Sequence, residues 1–579
     1  MSSGEGAEIR VQTDPAGLAD PSRPGTPGTL ETPGTEHGVS DGGPGKLARG
    51  IARGALIVAV LTGLSRVLGL LRTVVFAQTV GAGCLGTAYV TAFQVPNLIV
   101  ELAIGGALSS AMVPVLARSA SRAGTDPQAR AHVEQTSSAL LTWSVLILLP
   151  VTVAVTIAAA PIAGLLNPVN PNAACSHAAV LNETTFMLVS FAPQILLYGI
   201  SVVLLGLLQA FRKFGAAGLA PVFGNVVIIT AYFVFASLDR GAPLARTPLA
   251  ANLVLSVGTT LNIGMLVLVT LPAIWRLRLR WRPSLRFPPG VVGRASGLAL
   301  VGLLEFIAAD IYSVITIDLA NGHGTTGALV LFNYSNLVFT AVVSVLPIAI
   351  VTSAFPVLSA TDGDEFDRTS AGSTRAVMLM SMLSTAVMIG VTLPAAHVLT
   401  QHHDQVEPLA LAFLLYAPGV AGFAIVTSLS RVLFALGKLK AAGIALVAQQ
   451  LVPAALTVPM VLLAPPHLTV AALALASSSG FILVSVPTVI ATRRLRGRAA
   501  VAGVGHATLA GLAAAAAGAA TGLAVTLPLP TGGNGLEVGS GFIAAILAIA
   551  VFGVVAYVLD RGDLRAAAGR VRRFAKGRA

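Results

Sequence analysis

A chain of 579 residues that is 55% hydrophobic and only 10% charged cannot present a solvated globular surface, because soluble domains carry roughly a quarter charged residues. Its mean hydropathy of +0.83 requires apolar runs almost throughout, each near the ~20 residues that cross a bilayer as a helix. The net charge of +12 does not mark a nucleic-acid binder, since Lys and Arg are spread between apolar segments rather than gathered on one compact face.

Residues 1–45 are rich in Gly, Pro, Ser, Thr and acids and are expected to form a disordered cytoplasmic tail. The first apolar segment begins near Ile51 and outruns a signal-peptide core, so it should be retained as a membrane helix. Spans are predicted near 52–79, 86–116, 137–166, 183–210, 219–238 and 249–274, within a first lobe at 50–274. A basic linker at 275–290 leads to a second lobe at 291–491, with spans near 291–320, 327–353, 374–396, 407–435, 441–464 and 468–491. A further pair lies near 501–526 and 540–559, within 501–559, before a basic tail at 560–579. The predicted fold class is an all-α polytopic membrane protein of about fourteen transmembrane helices.

With the amino terminus placed in the cytoplasm, inner loops collect Arg118, Arg122, Arg130, Arg212, Lys213, the run from Arg276 to Arg286, Arg368, Arg375, Lys438, Lys440 and Arg493 to Arg498. Outer loops hold Arg240 and Arg246 as exceptions. Cations beside spans stay on the cytoplasmic side, so both termini are expected inside and the span count even.

Shifting the chain by 225 positions aligns Ala192-Pro193 with Ala417-Pro418, Leu208 with Leu433, Lys213 with Lys438 and Ala216-Ala217-Gly218 with Ala441-Ala442-Gly443. Pro114-Val115-Leu116 echoes Pro356-Val357-Leu358 at a slightly different offset. These echoes pair span two with eight and four with ten. Two six-helix lobes related by a parallel pseudo-twofold follow, with two extra C-terminal helices and a substrate site between the lobes.

Specific residues then appear: Leu64-Ser65-Arg66-Val67-Leu68-Gly69-Leu70-Leu71-Arg72, Gly81-Ala82-Gly83, Pro96-Asn97-Leu98, Gly105-Gly106-Ala107, Phe191-Ala192-Pro193-Gln194, Arg212-Lys213-Phe214-Gly215, Tyr334 and Phe355-Pro356-Val357-Leu358-Ser359. From about 50 to 560 the chain resembles the lipid II flippase family MurJ (MviN), within the superfamily of multidrug, oligosaccharidyl-lipid and polysaccharide exporters. The resemblance implies a V of two lobes around a central cavity and a lipid-tail groove formed by the last two helices. It also implies movement of undecaprenyl-diphosphate-linked peptidoglycan precursor across the bacterial inner membrane by alternating access. The chain departs from the family pattern at Thr87, at Val100 and Glu101, and at Asn336 and Leu337.

Arg66 and Arg72 are intramembrane charges, which mark functional sites by default because burying them is costly. Six residues apart, they lie about 9 Å apart along a helix and some 120° around it, so both can border a wide cavity. Guanidinium stays charged and offers forked donors to oxygen pairs, which suits a diphosphate. The expected substrate-binding set is Arg66, Arg72, Asn97, Glu101 and Asn336, with Glu101 neutralising an arginine in the empty state. The structural alternative has Arg72 snorkelling or paired with Glu101. Glu305 and Asp310 are candidates for a coupling cation or for a structural ion pair, Asp318 is expected near the outer interface, and Arg431 is expected to snorkel.

Cys84 and Cys175 both fall in outer loops, where a disulfide forms if their Cα atoms come within about 7 Å. His397, His402, His403 and Asp404 match no strong zinc spacing, so no metal site is expected. Without a nucleotide-binding or hydrolytic motif the chain reads as no enzyme and needs no cofactor; a monovalent cation or the membrane potential would drive transport. Its partners are then the polyprenyl-diphosphate lipid, membrane lipids and cell-wall synthesis enzymes, with no nucleic acid. Two other readings fit the pattern: an exporter of another polyprenyl-linked glycan or a drug, and a non-transporting paralogue that scaffolds cell-wall enzymes. Arg66 and Arg72 weigh against a cationic drug.

Overall fold

The structure, a computed structural model, describes residues 44–102, 119–286, 296–527 and 534–559. The chain divides into two compact units, Met1–Arg53 and Gly54–Ala579, the second of which carries the membrane bundle. The expected tails 1–45 (except its last two residues) and 560–579, and the motifs at 105–107 and 113–116, lie outside the described residues.

The first half comprises α1 (Pro44–Thr79), α2 (Cys84–Val100), α3 (Pro127–Ile157), α4 (Ala159–Leu166), α5 (His177–Phe191), α6 (Pro193–Ala210), α7 (Phe214–Asp239), α8 (Leu249–Leu268) and α9 (Leu271–Arg276). The second comprises α10 (Ser296–His323), α11 (Ala328–Val345), α12 (Pro347–Ala360), α13 (Gly363–Gly390), α14 (Thr392–Val398), α15 (Val406–Tyr416), α16 (Gly419–Ala435), α17 (Leu439–Leu463) and α18 (Thr469–Arg496). The final pair is α19 (Val504–Thr526) and α20 (Asn534–Leu559). The chain is helical with no strand among the described residues, and 12 helical stretches are long and apolar enough to cross a membrane. The bent pair α15–α16 makes 13. The remaining expected span, 86–116, is represented by α2, and its continuation from residue 103 lies outside the described residues.

The repeat read from Pro and Lys extends to backbone detail. At the end of α6, the N–H groups of Phe211, Arg212 and Lys213 donate to the carbonyls of Leu207, Gln209 and Leu208; at the end of α16, those of Leu436, Gly437 and Lys438 donate to Val432, Phe434 and Leu433. Every partner is shifted by the same 225 positions. Arg212 and Gly437 both take left-handed φ, 56° and 69°. Lys213 and Lys438 follow at φ −86°, ψ 55° and φ −87°, ψ 57°. Such a left-handed residue ends a helix by satisfying its last carbonyls. The prolines repeat too: Ala192-Pro193 breaks α5 from α6, and Ala417-Pro418 breaks α15 from α16 with a 40° bend.

The two halves meet mainly at one end. Asn170 Nδ2 donates to the carbonyls of Asn321 and Gly324, both at 2.7 Å, and the Ala174 N–H donates to Thr326 Oγ1 at 2.9 Å. Gln78 Nε2 donates to the Val398 carbonyl at 2.8 Å, and Gln405 Nε2 to that of Ala82 at 3.2 Å. The largest apolar core draws residues from both halves, including Phe76, Tyr89, Leu166, Leu329 and Ala396, while the smaller clusters stay within one half. Away from this seam, Val60, Leu64, Val67 and Leu70 of α1 and Leu300, Leu304, Ile307 and Ile311 of α10 are exposed. The hydrogen bonds named here between the halves thus all lie at the end opposite the arginine-rich loops.

Cys84 and Cys175 form a disulfide at the joined end, with Cα atoms 5.8 Å apart, which settles the alternative left open by the sequence. It ties the start of α2 to the 167–175 loop, whose Asn170 and Ala174 grip the other half. Closing a loop of 91 residues removes chain entropy from the unfolded state, worth about 2–4 kcal/mol. Reductant is expected to lower the thermal midpoint of the detergent-solubilised protein, and a Cys84→Ser/Cys175→Ser variant should melt at the lower temperature with or without it.

Candidate substrate cleft

α1, α2, α6 and α10 carry polar groups within otherwise apolar helices. Arg66 is exposed on α1, and Arg72, one and two-thirds turns further along, is half-buried. The Arg72 charge is felt by the hydroxyls of Tyr89, Tyr198 and Tyr232, all of the first half. Behind it, the Tyr89 hydroxyl shares hydrogen bonds with Tyr232 at 3.0 Å and Thr259 at 2.9 Å. The rings of Phe76 and Tyr89 lie 5.0 Å apart, tilted by 38°. This rigid base fixes the last turns of α1.

Glu101 is exposed at the end of α2, where its backbone N–H donates to the carbonyls of Asn97 and Leu98. It was expected to neutralise Arg66 or Arg72, yet among the described residues no ion pair joins them. Instead the Glu101 charge is felt by Tyr198 of α6 and by Asp310 of α10, and Tyr198 also feels Arg72. Asp310 Oδ1 is buried without a hydrogen-bond partner.

The other expected residues are divided between two places. Asn97 turns back on its own helix, donating from Nδ2 to the Phe93 carbonyl at 3.0 Å. Asn336 is exposed on α11 and accepts from the Tyr416 hydroxyl at 3.2 Å. Glu305 interacts with Arg431 rather than sharing a site with Asp310, since five residues on a helix turn the two carboxylates about 140° apart. Arg431 lies 5.5 Å from the centre of the Phe355 ring, a cation–π contact in addition to the expected snorkelling. Asp318 is exposed near the end of α10. His397 faces Glu537 at 3.6 Å, and no group of three or more metal-ligating side chains occurs among the described residues.

A separate apolar groove of about 910 Å³ opens between α13, α16, α18 and α19. Met382, Ile425, Val486 and Leu512 line its walls, and Arg493 and Arg498 stand at its arginine-rich end. Of the final pair, α19 supplies a wall while α20 packs behind it against α13 and α14.

A family model described as lipid II flippase MurJ matches residues 76–530. The chain belongs to the lipid II flippase MurJ family. Among its relatives, the probable lipid II flippase MurJ of Rhizobium meliloti (strain 1021) is 32% identical over 195 residues, 33% of this chain and 35% of that protein. The lipid II flippase MurJ of Burkholderia cenocepacia is 31% identical over 181 residues, 31% of this chain and 33% of that protein. These alignments thus span about a third of each relative's length. Among solved structures, lipid II flippase MurJ in an inward closed conformation superposes with a TM-score of 0.66 at 16% identity, over 87% of this chain and 99% of that one. An inward-facing multidrug-resistance transporter of the MATE family superposes at 0.56 and 14% identity, over 76% and 98%. At such identities the likeness is one of fold. The sequence signalled Arg66, Arg72 and Glu101 but missed Tyr198, whose only trace was a hydroxyl inside an apolar run beside Ala192-Pro193-Gln194.

Proposed function

We propose that this chain is a transporter rather than an enzyme, and that it moves lipid II, the polyprenyl-diphosphate-linked peptidoglycan precursor, from the cytoplasmic to the outer leaflet of the bacterial inner membrane. The observation that carries this reading is Arg72, half-buried on α1 with no carboxylate paired to it among the described residues; the reading puts it at the wall of a cleft open toward the arginine-rich end. A cation within a membrane span is costly unless water or a ligand's anion meets it, and forked N–H groups match the oxygens of a diphosphate. Cations beside the spans assign the arginine-rich end to the cytoplasm. The cleft then faces the leaflet in which such a lipid would be made. Arg66 offers a first contact, Arg72 a deeper one, and the groove of about 910 Å³ suits the polyprenyl tail. Breaking the joined end and closing the other would present the headgroup outside. A cation gradient or the membrane potential supplies the drive.

The test is complementation of a flippase-depleted strain, with lipid II on the outer leaflet assayed in the same cells. Rescue with exposure supports the reading; a well-expressed protein giving neither overturns it. Narrowing the groove with Ala516→Trp is expected to lower exposure several-fold without lowering membrane abundance, measured by the same assay with immunoblotting.

A further inference from the structure

The segment after α9 is read above as a basic linker, and its structure is more specific than a topology signal requires. Arg278 adopts φ 49° and turns the chain out of α9. Residues 279–286 then run without helix or turn along α3. The Arg282 N–H donates to Ser138 Oγ and the Ser284 N–H to Thr142 Oγ1, each at 3.2 Å. Four helical residues advance about 6 Å and two extended residues about 6.6 Å, so the strap and α3 stay in register. Further clips come from Trp143 Nε1 to the Leu285 carbonyl at 3.1 Å and from Arg130 to the Arg278 carbonyl.

Leu277 and Leu279 are half-buried, while Arg276, Arg278, Arg280, Arg282 and Arg286 are exposed, and so are Trp281 and Leu285 between them. No acid interrupts the run. Between strap and helix lies an apolar crevice of about 550 Å³, lined by Leu141, Val145, Leu146 and Leu149 of α3 and by Trp281 and Arg282. Positive-inside topology needs only cations near a span; it does not need them clipped in register beside an apolar slot. A polybasic stretch at the membrane surface attracts anionic lipid, and a slot continuous with a span's apolar face accepts hydrocarbon.

We propose that this crevice is a binding site for an anionic phospholipid of the leaflet on the arginine-rich side, with one acyl chain between α3 and Trp281 and the phosphate at Arg280 and Arg282. The site lies apart from the cleft and does not depend on the chain's transport activity.

Trp281 reports on it directly. The full chain is reconstituted in phosphatidylcholine vesicles containing equal fractions of dibrominated phosphatidylglycerol or dibrominated phosphatidylcholine, and the Trp281 signal is the difference between the native chain and Trp281→Phe. Bromine on phosphatidylglycerol is expected to quench Trp281 roughly threefold or more as strongly at low salt, with the preference shrinking as salt rises. The Arg280→Gln/Arg282→Gln pair should bring the two lipids to parity, and the Arg280→Lys/Arg282→Lys pair should keep the preference. Equal quenching by the two lipids in the native chain, or an undiminished preference in the Gln pair, overturns the proposal. Should the Gln pair fail to insert, the native comparison and its salt dependence decide alone.

Discussion

Replacing Arg72 by Gln is expected to reduce outer-leaflet exposure of lipid II by about 10- to 100-fold, because hydrogen bonds to a charged group are worth about 1.5–3 kcal/mol. Among the described residues no carboxylate pairs with the half-buried guanidinium, so the loss falls on substrate rather than on the bundle. Removing the charge also spares the wall an uncompensated cation, so the thermal midpoint should hold or rise. Lys at the same position should recover only part of the activity, since a point charge keeps the attraction but lacks the fork. Arg66→Gln should have a smaller effect, because its exposed head works where water screens it. The decisive measurement is precursor exposure in cells relying on each variant, normalised to protein in the membrane. Full exposure with Arg72→Gln would remove the diphosphate contact from the mechanism.

Replacing Gly327 by Ala is expected to open the joined end. Gly327 precedes α11 with φ +83°, and a Cβ there would lie 2.0 Å from the Ala82 carbonyl oxygen of the other half. The left-handed backbone alone costs a non-glycine residue about 1–2 kcal/mol. The clash is worse, since it sets a side-chain carbon against main chain that cannot rotate aside. Relief requires the halves to separate between Ala82 and Gly327, where Gln405 also bonds across. Gln94, deeper on α2 and 3.3 Å from Asn333 of the other half, is a suitable reporter. With Cys84 and Cys175 bridged, a Gln94→Cys thiol is the sole target for an impermeant maleimide added from outside. It should react slowly in an otherwise native chain and many-fold faster with Gly327→Ala. Gly215→Ala, where a Cβ meets nothing within 4 Å, is the matched control and should leave the rate unchanged. Unaltered labelling in Gly327→Ala would show that this seam does not gate access.

These two sites differ in how readable they were. Arg72 announced itself as a charge inside an apolar run. Gly327 did not, because a glycine before a helix is common and its value here comes from Ala82, 245 positions away. Glu101 shows the same limit: its place at the end of α2 was legible, but the sequence suggested an arginine partner that folding does not supply among the described residues. Glu305 and Asp310, five residues apart in the chain, were read as candidates for a coupling cation, and helical twist turns them about 140° apart.

The sequence by itself determined what local chemistry enforces. Hydropathy dictates the spans because the bilayer demands a fixed length of apolar helix. Pro and Lys at matching positions dictate the repeat, since Ala192-Pro193 and Lys213 set the same backbone breaks as Ala417-Pro418 and Lys438. Only the tertiary structure decided which ends of the halves touch, which wall receives each charge, that Cys84 meets Cys175, and that the arginine linker lies in register on α3. A helix reveals the depth and direction of a side chain through its own periodicity, but the neighbour it meets depends on how whole helices pack, and no single segment encodes that.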